Sequence, residues 1–79
     1  MRVLFFAQLK DATGCDSVEL ALPSPLNAGQ LWTLLLEKFP GLSAHRTQVR
    51  LSRNWEYAAA DVLFSNDDEV ALIPPVSGG

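Results

Sequence analysis

The sequence predicts an α+β domain in which one main helix covers a mixed sheet, and three observations carry that prediction. Two strand-length apolar runs lie near the two ends of the chain, at residues 3–7 and 70–73. Between them a single stretch combines helical periodicity with a set of helix-start signals. Two further stretches, 17–22 and 48–52, alternate apolar and polar residues with the period of a strand.

The first run, Val3-Leu4-Phe5-Phe6-Ala7, is apolar without alternation, the pattern of a strand buried on both faces and so central in its sheet. A polar turn at residues 12–16 leads to a second strand, 17–22, with Val18, Leu20 and Leu22 on one face, and the two strands form a hairpin. Pro23-Ser24-Pro25 ends it. Asn27 is then placed to cap a helix, Gln30 completes a capping box, and Leu26 is positioned to staple onto Leu31. Leu31, Leu34, Leu35 and Phe39 make the apolar stripe, widened by Trp32 and Leu36, which read as the edge of the core. The helix stops at Phe39, because the residue before Pro40 is pushed out of helical geometry and Gly41 follows.

Beyond a polar link around His45, the stretch 48–52 places Val49 and Leu51 inward. A turn at Arg53-Asn54 precedes a short piece around Trp55-Glu56-Tyr57. Asp61-Val62-Leu63-Phe64 is too short to assign, and residues 65–69 form a polar turn. Val70-Ala71-Leu72-Ile73 is a last strand, apolar on both faces like the first. The order is ββαβ(β)β, and two terminal strands of this kind pair side by side in the β-grasp, or ubiquitin-like, fold. The domain spans residues 1–73, with an extended tail at 74–79. One helix covers one face of the sheet, so the outward side chains of the two central strands are expected to form an apolar patch for a protein partner.

Composition narrows the function. Seventy-nine residues make one domain with a small core, and 48% hydrophobic content is enough to fold it. Six basic against nine acidic residues give a net charge of −3, without the basic stripe that nucleic acid requires. The single cysteine, Cys15, has no internal partner and fits a reducing cytoplasm. The apolar start breaks at Gln8 and Lys10 without a cleavage site, so it is not read as a signal peptide. No uncharged stretch is apolar enough to span a membrane, and a soluble protein is expected.

The tail has a physical design of its own. Pro74 and Pro75 fix φ near the polyproline value, so the six residues extend about 19 Å from the last strand. Gly78 and Gly79 have no side chains, which makes the end thin and its terminal carbonyl carbon unhindered. Such an end suits being activated, carried and attacked inside another protein.

The opening Val3-Leu4-Phe5-Phe6-Ala7-Gln8-Leu9, the entry Asp68-Glu69-Val70-Ala71 into the last strand, and the terminal Pro74-Pro75-Val76-Ser77-Gly78-Gly79 resemble the small subunits of molybdopterin synthase. The resemblance implies a sulfur carrier that is not an enzyme by itself. An adenylating partner uses ATP to convert the Gly79 carboxylate to an acyl-adenylate. A sulfur donor protein then displaces AMP to leave a thiocarboxylate, and the charged tail delivers sulfur to cyclic pyranopterin monophosphate in the large subunit of a 2:2 heterotetramer. Gly79 is then the carrier and Gly78 its sterically required neighbour; Pro74, Pro75, Val76 and Ser77 thread the tail, and Phe6 and Ile73 dock the partner. No bound cofactor is implied. A thiamine-pathway sulfur carrier and a ubiquitin-like protein modifier keep the same tail chemistry, and a β-grasp binding module with an inert tail does not.

The remaining polar residues read as ordinary surface. Cys15 has no neighbour that activates a thiol, and His45 has no second metal ligand at a suitable spacing. Residues 67–69 form either a steering patch for a basic partner or a solvated turn. Arg46, Arg50 and Arg53 are adequately explained by exposure.

Overall fold

The computed structural model describes residues 1–75. Strand β1 (Arg2–Phe5) runs parallel to β5 (Glu69–Ile73) and antiparallel to β2 (Ser17–Glu19), while β3 (Arg50–Arg53) pairs antiparallel with β5 and with β4 (Glu56–Tyr57). The sheet order is β2-β1-β5-β3-β4, so the two uniformly apolar strands lie next to each other near its centre. Val3, Phe5, Val70 and Leu72 point into the core, where they share one cluster with Leu31, Trp32 and Leu35 of the helix α2 (Ala28–Lys38).

Helix α2 begins as its sequence dictates. The Asn27 Oδ1 accepts the Gln30 N–H at 2.8 Å, and the Gln30 Oε1 accepts the Asn27 N–H at 3.0 Å, a reciprocal capping box. Phe39 ends it, and its ring meets Phe5 edge-on with centroids 5.4 Å apart. The buried stripe is Leu31, Trp32 and Leu35, with Leu34 only half-buried, so Trp32 belongs to the core itself.

Several connections carry more structure than expected. Strand β1 ends at Phe5 because Ala7 turns to φ 52° and opens a short helix α1 (Gln8–Thr13) across what the sequence presents as a plain hairpin connection. Leu9 is its single fully buried residue, and Gly14 closes it at φ 77° with an N–H bond to the Lys10 carbonyl of 2.8 Å. Strand β2 stops at Glu19 rather than residue 22, since the backbone of Leu22 is satisfied by a side chain instead. Asn66 Oδ1 accepts the Leu22 N–H, and Asn66 Nδ2 donates to the Leu22 carbonyl, both at 2.7 Å.

The link around His45 consists of two 3₁₀ turns, Pro40–Ala44 and Arg46–Gln48, the first of which buries Leu42 completely. Gly41 lets that turn approach α1: a Cβ there would stand 2.9 Å from the Ala12 carbonyl oxygen. Strand β3 starts two residues later than expected, with Leu51 half-buried and Ser52 buried. Phe64, in the segment too short to assign from sequence, is also fully buried and forms a two-residue bridge with Leu26.

Candidate functional site

The tail leaves from the best-anchored strand of the sheet. Strand β5 is hydrogen-bonded on both sides, with Ile73 opposite Arg50 of β3 at its last paired position. Pro74, half-buried, and the exposed Pro75 follow directly. The expected carrier Gly79, with Gly78, Val76 and Ser77, lies outside the described residues. Phe6 and Ile73, the expected docking pair, are both half-buried, and the register Phe5 opposite Leu72 sets them at the same end of neighbouring strands.

Pairing across the outer face aligns Leu4, Ala71, Ser52 and Tyr57 in one row, because the residues opposite one another in a ladder share a face. The middle of that row is less bare than the sequence implies: Leu4 is half-buried, and Ala71, a small residue between Leu4 and Ser52, is only 2% exposed. Open apolar surface lies instead on the β3–β4 hairpin, where Trp55 is 66% and Tyr57 59% exposed. From the sequence this pair reads as part of a short piece around Trp55-Glu56-Tyr57, and its signal is two large aromatics flanking one acidic residue beside an alternating strand.

The hairpin turn consists of Asn54 at φ 52° and Trp55 at φ 70°. Both central residues of such a turn need positive φ, which asparagine tolerates and glycine prefers. A tryptophan there costs about 1–2 kcal/mol. Beside it, Ser52, Trp55, Tyr57 and Ile73 line a notch of about 220 Å³. The Ser52 hydroxyl is buried and finds no hydrogen-bond partner among the described residues. The Arg50 guanidinium carbon sits 4.0 Å from the centre of the Tyr57 ring.

A polar clip holds the other side of the hairpin. Asn54 Nδ2 donates to Asp68 Oδ1 at 3.0 Å, and Asn54 Oδ1 accepts the Glu69 N–H at 2.9 Å. Asp68 Oδ2 accepts the Ser65 N–H at 2.8 Å and the Ser65 hydroxyl at 3.3 Å. Burial raises the Asp68 pKa, but the Ser65 and Asn54 hydrogen bonds and the charge of Arg53 outweigh it and hold the carboxyl below its ordinary range. Of residues 67–69, Asp68 is thus a structural group of the turn.

The other residues weighed on sequence stay apart from this face. Cys15 is a half-buried free thiol whose Sγ lies 3.7 Å from the Thr13 hydroxyl. His45 joins the two 3₁₀ turns through its backbone, and Arg46 lies over the Trp32 ring at 5.9 Å. Among the described residues, no three His, Cys, Asp or Glu side chains converge on a metal position, and no helix is long and apolar enough to cross a membrane. The arrangement offers a firmly rooted exit for the tail and an aromatic surface beside it.

The sequence profile of the ThiS family matches residues 3–79. The molybdopterin synthase sulfur carrier subunit of Arabidopsis thaliana is 37% identical over 79 residues, which cover 100% of this chain and 82% of that protein. Among solved structures, SAMP1 of Haloferax volcanii matches with a TM-score of 0.83 at 29% identity, covering 99% of this chain and 97% of that one. A chain in the complex of subunits 1 and 2 of molybdopterin-converting factor from Helicobacter pylori shares the fold, with a TM-score of 0.70 at 22% identity over 99% of this chain and 96% of that one.

Proposed function

This chain belongs to the ThiS family, among the molybdopterin synthase sulfur carrier subunits, and on that premise we propose that it carries sulfur on its C-terminal Gly79. The observation that carries the reading is the match to sulfur carrier subunits along the whole chain. The chemistry follows from what a carboxylate lacks. It is a poor electrophile, so an adenylating enzyme joins it to AMP from ATP and expels pyrophosphate. Sulfur supplied at the sulfide level by a donor protein then attacks the acyl carbon, AMP leaves with the C–O electron pair, and Gly79 bears a thiocarboxylate.

The charged tail then enters the large synthase subunit and gives its sulfur to cyclic pyranopterin monophosphate. A dithiolene has two sulfurs, so two charged tails are consumed per product, which suits a 2:2 assembly in the cytoplasm. The small subunit is a co-substrate in this scheme, and the catalytic side chains are those of the large subunit. Phe6 and Ile73 dock that partner, and Pro74 and Pro75 project the tail from a strand held on both sides. Deleting Gly79 tests the reading. The truncated chain is expected to fold normally and to support no dithiolene formation with the large subunit, and dithiolene formation at the full-length rate would refute it.

A second reading is favoured by the likeness to SAMP1, a small archaeal modifier protein. In it the same activated Gly79 is passed to lysine amines of other proteins, and isopeptide-linked adducts in a cell extract would distinguish it.

A further inference from the structure

We propose that the open edge of β2, together with the groove between it and α2, binds an extended segment of a partner protein in which a lysine or arginine stands between two aliphatic residues. The inference does not depend on the carrier reading, because it concerns the edge of the sheet and not the tail. Strand β2 is the last strand on its side of the sheet, paired only with β1. Its inward bonds continue beyond Glu19. The Leu20 N–H donates to the Met1 carbonyl at 2.8 Å, the Met1 ammonium donates to the Leu20 carbonyl at 2.7 Å, and Asn66 satisfies both backbone groups of Leu22. Val18, Leu20 and Leu22 thus bond inward, and the alternation of an antiparallel ladder turns the N–H and C=O of Ser17, Glu19 and Ala21 to the open side. Such a row is a template for one more strand.

The groove beside that row selects what the added strand carries. Two hollows of about 400 and 290 Å³ lie along it and share Ala21, Leu34 and Glu37. Leu34 is half-buried, and Leu22 and Leu26 continue the apolar wall in the second hollow. Residues of an added strand opposite Val18 and Leu20 share their core-side face, where α2 packs, and set two aliphatic side chains in these hollows. The residue between those two stands opposite Glu19, on the outer face. Glu19 is exposed, and Arg2, its neighbour on β1, also stands opposite Glu69 of β5, so one cation lies between two carboxylates. A basic residue on the open side of Glu19 completes the alternation of charge. On the rim, Glu37 sets a second carboxylate against Lys38. A second copy of this chain does not fit, because its own outer strands, β2 and β4, present Glu19 and Glu56 and no basic residue. The register also separates the groove from the tail: Glu19 is level with Glu69, the first residue of β5, and Ile73 lies about 13 Å further along. Groove and tail can therefore be engaged at once.

The test titrates the end-blocked peptide Ser-Val-Lys-Val-Ser into the full isotope-labelled chain and follows the amide chemical shifts. Saturable shifts are expected at Ser17, Glu19, Ala21 and Leu34, complete at or below about 5 mM peptide. N-methylation of the peptide's lysine removes the N–H that the Glu19 carbonyl accepts, and is expected to weaken binding at least about fivefold. Glutamate in place of that lysine is expected to weaken binding about two- to fivefold, and Glu19→Lys, an exposed change, to reverse the preference. No saturable shift along the β2 edge, or equal binding of the N-methylated peptide, overturns strand addition. The same order of the two peptides on Glu19→Lys overturns the choice of a basic residue. Shifts of these amides on concentrating the chain alone assign the edge to a second copy and overturn the partner. Sulfur loading of Gly79, read separately by mass, decides the carrier reading in every case.

Discussion

Asp68 and Asn66 are polar residues whose side chains perform the work of backbone. Asp68 gathers the Ser65 N–H, the Ser65 hydroxyl and the Asn54 amide, and so fastens the turn before β5 to the β3–β4 hairpin. Its pKa is lowered in the folded state, so its stabilising contribution is complete above the unfolded value of about 3.9 and disappears as pH falls through the lower folded value. Urea midpoints measured from neutral to acid pH should therefore fall less steeply for Asp68→Asn than for the parent, from a lower starting point. Asn66 completes the hydrogen bonding of Leu22 with two bonds of 2.7 Å. Asn66→Ala is expected to lose about 1–3 kcal/mol in the same denaturation, since it strips the partners from a backbone that no strand replaces.

At the scale of elements, helix α2 depends on its first turn. Asn27→Ala breaks the capping box and should cost about 1 kcal/mol. Gly41→Ala forces the Pro40–Ala44 turn away from the Ala12 carbonyl, and a lower melting temperature with an unchanged far-ultraviolet spectrum is the expected result. The same elements explain what the sequence made legible. Helix α2 announces itself because eleven residues give three turns of periodicity plus a cap, and β1 and β5 because continuous apolar runs have one natural place in a sheet. Helix α1 has six residues and a single buried one, Leu9, too short for any period to register. Leu42 stands alone between Gly41 and Ser43, and Phe64 ends an apolar run too short to show a period, so only the tertiary fold reveals them as core. The hairpin surface is not legible in the sequence because Trp55 sits in a conformation its residue type does not favour, whereas Phe6 and Ile73 stand out by their place in the apolar runs.

At the scale of the whole molecule, the division of labour is spatial. The core is one cluster between α2 and the sheet in a chain whose Cα radius of gyration is 11.7 Å, and the tail expected at residues 74–79 starts where β5 ends. Strand β5 joins the two, because it is both the centre of the sheet and the segment that runs into Pro74. On the proposed reading, a chain of 79 residues supplies a scaffold and a docking face, and its chemistry takes place at Gly79 within a partner. The measurement that tests this most directly is the intact mass of the full chain after incubation with an adenylating enzyme of the pathway, ATP and a sulfur source. The account predicts the increment of sulfur replacing one oxygen, confined to the C-terminal peptide and absent when Gly79 is deleted. An unchanged mass under conditions that load an established carrier subunit, or an increment located at Cys15, would contradict it.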